Sequence, residues 1–206
     1  MFGSAQRWLQ QQLKTDVRYL SNGGFWVFTG YALQVLTGLL TMVALGHLLP
    51  KEALGVYQYV LAVASVIGLC TLTGIAKPVT RAVAQGKEGV FVNAIRVMLR
   101  WSGFITIGAG LVATYYFIQD DIRLGISFLI VGACVPIIGT FSLYQAYLNG
   151  KEAFRDQVLL GAWRKPLPLV AIVATLLVTD NVVALVAAYY VSHAVSTLLV
   201  YAKVMR

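Results

Sequence analysis

The chain has 206 residues, of which 59% are hydrophobic and only 12% charged, whereas an ordinary soluble domain carries about a quarter charged residues. That composition excludes a soluble globular enzyme and points to an all-α integral membrane protein. The net charge of +8 does not argue for nucleic acid, because the basic residues are spread between apolar runs instead of forming a patch on a polar domain.

In chain order, residues 5–20 place Leu9, Leu13, Val17 and Leu20 on one helical face and Arg7, Lys14 and Arg18 elsewhere, the pattern of a helix lying at the interface. The first apolar run then begins near Gly24. It is too long for the core of a signal peptide and no small-residue cleavage site follows it, so it is expected to stay as the first span.

Uncharged runs cover 19–50, 53–76, 101–119, 124–150 and 181–202, each able to supply the ~20 residues that carry a helix across a bilayer. After Lys165 only 14 uncharged residues follow, 166–179. Extending that run back to Gln157 gives a sixth full span that contains Arg164 and Lys165. The expected organisation is a single six-helix lobe over 1–206, with an interfacial helix at 1–20 and spans at about 24–49, 55–76, 101–119, 124–148, 157–178 and 182–202.

Charge sets the orientation. With the N-terminus inside, 14 of the 16 basic residues fall on inner segments, Lys77, Arg81, Lys87, Arg96 and Arg100 among them, and only Lys51 and Arg123 fall outside. Such a bias places both termini on the cytoplasmic side. The outer connections are too short for a domain, so any recognition belongs to the membrane or the inner face. In the connection after span 2, the spacing predicts a helix from Val79 to Gln85 with Gly86 as its stop and Pro78 in its first turn, an amphipathic extension of span 2.

Polar residues inside the spans fall on stripes. Span 1 aligns Gly30, Gln34, Thr37 and Thr41; span 4 ends with Ser142, Gln145 and Asn149; span 5 aligns Gln157, Gly161, Arg164, Pro168, Ala171 and Thr175; span 6 carries Tyr189, Ser192, His193 and Ser196. Small and weakly polar residues also pack helix against helix, and that reading weighs more for Thr37, Thr41, Ser192 and Ser196. Gln34, Arg164 and His193 are costlier to bury and favour water. Arg164 sits about two turns inside span 5, where a charge needs water, an acid or the interface; the alternative is that Arg164 and Lys165 both snorkel to the headgroups. Pro166 and Pro168 beside them are expected to free backbone carbonyls and kink the helix, as where transporter helices bend around a site, and Pro136 in span 4 to do the same; the commoner alternative for each is a static kink tolerated by packing.

His193 has the side chain to carry a proton, although a neutral hydrogen-bonding group is the commoner use of a lone histidine. All eight acids lie outside the spans. Cys70 and Cys134 fall inside apolar spans as small hydrophobes, so neither a disulfide nor a metal site is read. No GxSxG, HExxH, CxxC or phosphate-loop spacing occurs, so neither catalysis nor a cofactor is expected.

Two stretches carry a family resemblance. LLPKEALGVYQYVLAVASVIGLCTLTGIAKPVTRAVAQG, with Leu54, Gly55, Val56 and Tyr57 in a short outer turn and Gly74 and Arg81 after span 2, resembles the start of Wzx-type oligosaccharide flippases of the multidrug/oligosaccharidyl-lipid/polysaccharide exporter superfamily. NGKEAFRDQVLLGAWRKP is similar to that family's inner loop and fifth helix. The likeness implies flipping of a polyprenyl-diphosphate-linked oligosaccharide from the inner to the outer leaflet of the bacterial cytoplasmic membrane, for cell-surface polysaccharide such as the O-antigen of lipopolysaccharide. It implies one lobe of a two-lobe fold, to be completed by a second six-helix half or a homodimer partner. It also implies that Arg164, with Lys165, Arg81, Arg100 and Lys77, attracts the diphosphate, while Gln34 and Thr41 contact sugar or water. A drug or cation exporter of the same superfamily, or a non-transporting membrane scaffold, is the alternative.

Overall fold

The computed structural model of the chain describes residues 17–69, 73–179 and 181–205. These form nine α-helices and one short 3-10 turn, with no strand among the described residues. The helices are α1 (Val17–Leu48), α2 (Lys51–Leu69), α3 (Ala76–Ala84), α4 (Gly89–Ile118), α5 (Ile122–Phe141), α6 (Tyr144–Gly150), α7 (Phe154–Arg164), α8 (Pro166–Val178) and α9 (Val182–Val204). Joined end to end, α5 with α6 and α7 with α8 make single crossings, so six helical runs are long and apolar enough to span a bilayer. This is an all-α membrane architecture. Most of the expected interfacial helix lies outside the described residues, as does Cys70; residues 17–20 run directly into α1.

The helix of the second span is described as far as Leu69; Thr73–Ile75 form the 3-10 turn, and α3 follows it. Pro78 has no N–H to offer the carbonyl of Gly74, so a helix carried through this point would lose a bond. Gly86 ends α3 as its position in the sequence implies. At φ +77° it lets its own N–H reach Val83 O at 2.9 Å while the Lys87 N–H reaches Ala82 O at 3.0 Å, the paired bonds of a Schellman end. The third span begins at Gly89, well before 101. Its first turns are amphipathic, with Phe91, Ala94 and Ile95 buried and Asn93, Arg96 and Arg100 exposed.

The core forms where α5 packs among α2, α4 and α9. Tyr57, Val60, Phe128, Val131, Leu185, Val186 and Tyr190 meet there, all buried. Gly132 sets the α4–α5 approach, since a Cβ at that position would stand 2.8 Å from the Ala109 Cβ. Gly150 does the same between α6 and α3, where a Cβ would stand 2.7 Å from the Thr80 carbonyl oxygen and 2.6 Å from the Val83 Cβ. Without side chains at these glycines the backbones come close enough for dispersion and interhelical hydrogen bonds to hold them. At the other extreme, α1 keeps Phe28, Tyr31, Val35, Leu36 and Met42 exposed, the surface expected of a helix that faces lipid.

Candidate polar clefts at the basic end

The connections 73–88 and 142–153 and the end of α9 share one end of the bundle, where α6 packs against α3 and against α7. Around these elements the polar stripes converge on two clefts. The first, about 290 Å³, lies between α1, α6 and α7. Gly30 and Gln34 line it from α1, Gln145 and Asn149 from α6, and Gln157, Gly161 and Arg164 from α7, with Lys165 beside them. The second, about 690 Å³, lies between α3, α4 and the α5–α6 turn. Lys77, Thr80 and Arg81 face Ser142, Gln145 and Asn149 across it. Gln145 and Asn149 therefore belong to both walls, and the one-helix thickness of α6 separates the clefts.

The cationic half of the first cleft lies where two prolines interrupt the hydrogen-bond ladder between α7 and α8. Pro166 and Pro168 lack the N–H groups that would bond the carbonyls of Ala162 and Arg164, and the helix divides at Lys165, with α8 restarting on Pro166. Lys165 turns its ammonium to α1, where Nζ donates to the Gly30 carbonyl at 3.1 Å. Arg164 does otherwise. Its Nη1 is buried and has no hydrogen-bond partner among the described residues. The ion pair found among the described residues is Lys151 with Glu88 at 3.0 Å, so Lys77, Arg81, Arg164 and Lys165 face no carboxylate there. A guanidinium carries only donors, so the chemistry that suits this nitrogen is that of an acceptor.

The other residues singled out in the sequence fall elsewhere. Thr41 donates back to the Thr37 carbonyl at 2.8 Å, and Thr37 donates to Leu33 O at 2.8 Å; both hydroxyls are satisfied inside α1 and neither lines a cleft. Arg100 is exposed on α4, away from the lining of both clefts. His193 lines a third recess of about 360 Å³ with Ser65, Tyr189 and Tyr190, and its Nδ1 is buried without a partner. That recess shares Gly139 with the larger cleft.

Gln145, Asn149 and Gln157 belong to the stripes of the sequence without an assigned role there. Their three- and four-residue spacing was the available signal, and the structure gives it content by turning them into the clefts. Thr80 had no such signal. Its hydroxyl lies 3.0 Å from Ala76 O and 3.1 Å from Ala146 O, tying α3 to α6.

No family model, no curated protein and no solved structure matches this chain. The class defined by fold and composition is a multi-pass α-helical membrane protein, and the clefts carry what can be said of its activity.

Proposed function

We propose that this chain moves a polyprenyl-diphosphate-linked oligosaccharide across the membrane, from the leaflet at its basic end to the opposite leaflet, as the N-terminal lobe or a half-size form of an oligosaccharide flippase. The observation that carries the reading is the first cleft, where Arg164 and Lys165 stand at a proline junction among Gln34, Gln145, Asn149 and Gln157, with no acid beside them among the described residues. A diphosphate suits such a place because guanidinium offers it charged, bidentate hydrogen bonds. The amides match sugar hydroxyls as donors and acceptors.

Lys77 and Arg81 in the neighbouring cleft supply a first attraction at the membrane face. The shared Gln145 and Asn149 wall puts that station next to Arg164. On this reading the basic end is cytoplasmic, in keeping with the distribution of charge, with both termini on that side, and the membrane is the bacterial cytoplasmic one that the family resemblance implies. The opposite wall of a translocation path would come from a second six-helix lobe, either a companion or another copy, and exchange between leaflets from alternation of the two lobes.

The test is reconstitution in vesicles with a fluorescent polyprenyl-diphosphate sugar. Binding that falls at least tenfold in Arg164→Ala is expected, in line with the ~1.5–3 kcal/mol of a hydrogen bond to a charged group. Equal binding of a neutral polyprenol-linked sugar, or no effect of Arg164→Ala, would overturn the assignment. Cation-stimulated drug efflux by the reconstituted chain would replace it with the exporter reading.

A further inference from the structure

We infer that a groove on the outward side of α3 binds the headgroup of an anionic phospholipid from the surrounding bilayer. The groove, about 550 Å³, is lined by Lys77, Arg81 and Lys87 with Pro78, Ala82, Gln85 and Val90. It lies across α3 from the larger cleft, with Lys77 and Arg81 common to both, and the assignment stands whether or not the chain is a flippase.

Three features build this site. The first is a fixed platform. Val79 and Val83 are buried, Gly150 lets α6 press against Thr80 and Val83, and the Thr80 hydroxyl reaches the Ala146 carbonyl at 3.1 Å. With one face of α3 clamped, the opposite face cannot turn inward. The second is convergence of charge. Lys77 and Arg81 are one turn apart on α3, and the left-handed turn at Gly86 brings the chain back so that the Lys87 N–H meets Ala82 O at 3.0 Å. Three cations thereby border one depression.

The third is the removal of the nearest acid. Glu88 follows Lys87 directly, yet its carboxylate is held by Lys151 at 3.0 Å, and Lys151 also lies over the Tyr147 ring, 4.7 Å from its centre. Among the described residues no carboxylate lines the groove. Its floor of Pro78, Ala82 and Val90 is apolar. A soluble phosphate gains nothing from such a floor, whereas a lipid brings glycerol and the first acyl methylenes along with its phosphate. With the second span crossing the bilayer, a groove that follows it in the chain falls near the headgroups.

The experiment follows thermal unfolding of the full chain in uncharged detergent, adding phosphatidylglycerol, phosphatidylcholine or inorganic phosphate at matched concentrations, since a ligand of the folded state raises the midpoint. The expected result is a rise with phosphatidylglycerol alone. Lys87→Gln should weaken the apparent affinity about fivefold, the equivalent of the ~1 kcal/mol per basic residue at an anionic surface, and Lys87→Arg should retain it. Arg96→Gln, a charge on the exposed side of α4 outside the groove, should leave it unchanged. An equal rise with phosphatidylcholine, an equal rise with inorganic phosphate, an inert Lys87→Gln, or the same loss in Arg96→Gln would each overturn the inference, the last by showing attraction to net charge without a site.

Discussion

Two helices of this bundle carry proline within an apolar run, and they respond in opposite ways. In α5, Pro136 leaves the Gly132 carbonyl without its helical donor, and the Thr106 hydroxyl of α4 takes that place at 3.1 Å. The helix stays continuous through the proline, which is buried. At the α7–α8 junction the helix divides, and Arg164 Nη1 is buried with no partner. A proline whose vacated carbonyl is satisfied by a packed neighbour is a structural kink. The other stands beside a polar cleft and an unpartnered cation, the arrangement on which the proposed function rests. The difference lies in the neighbours, because the lost backbone bond is the same in both.

That contrast can be broken from either side. The largest effect is expected at Gly132, where a valine would force its side chain into the 2.8 Å approach to Ala109; overpacking of this kind costs about 3 kcal/mol at the upper end of its usual range. Unfolding in mixed micelles measures it, and a loss under ~0.5 kcal/mol would mean that α4 and α5 slide freely. Arg164→Ala should do the reverse, leaving stability nearly intact or slightly raised because a costly intramembrane charge is removed, while headgroup binding drops at least about tenfold. Parallel loss of stability and binding would make Arg164 a packing residue.

Smaller effects sharpen the same comparison. Thr106→Val should cost roughly 1 kcal/mol, the scale of interhelical hydrogen bonds in membranes, and leave binding unchanged. Pro166→Ala should draw α7 and α8 toward one continuous helix and reduce labelling of a single cysteine at 161 by a water-soluble reagent, whereas Pro136→Ala should leave that labelling alone. The smallest change belongs to Glu88→Gln at the surface pair with Lys151. The Tyr147 hydroxyl and then Glu88 hold the Lys151 ammonium above the ordinary lysine value of 10.5. A raised lysine contributes fully below that value and loses its contribution only as pH climbs through the raised one, so unfolding midpoints of wild type and Glu88→Gln should keep a constant difference from pH 6 to pH 9 and converge only above about 10.5.

Much of the fold is legible along the chain, and the reason is that its signals are local. Hydropathy and length locate six crossings, Gly86 ends α3 through its own φ, and the span 5 stripe of Gln157, Gly161 and Arg164 does share a face, while Leu159, Trp163, Val170 and Leu177 lie exposed away from it. The site is only half legible. Thr37 and Thr41 stand on the same stripe as Gln34, yet their hydroxyls are short enough to fold back on their own helix, and Gln34 alone of the three reaches the cleft.

The sequence by itself determined the solvent this chain folds in, the number of crossings and the side on which positive charge collects, because burial of apolar length and placement of charge are properties of each segment alone. Only the tertiary structure decided that Gln34 of α1 would stand with Arg164 of α7, that Thr106 would repair the gap above Pro136, and that Gly150 would clamp α3 so that Lys77 and Arg81 border two grooves. Those outcomes depend on the rotation and register of one helix against another. Both are fixed by close contacts such as Gly132 on Ala109, which join residues far apart in the chain.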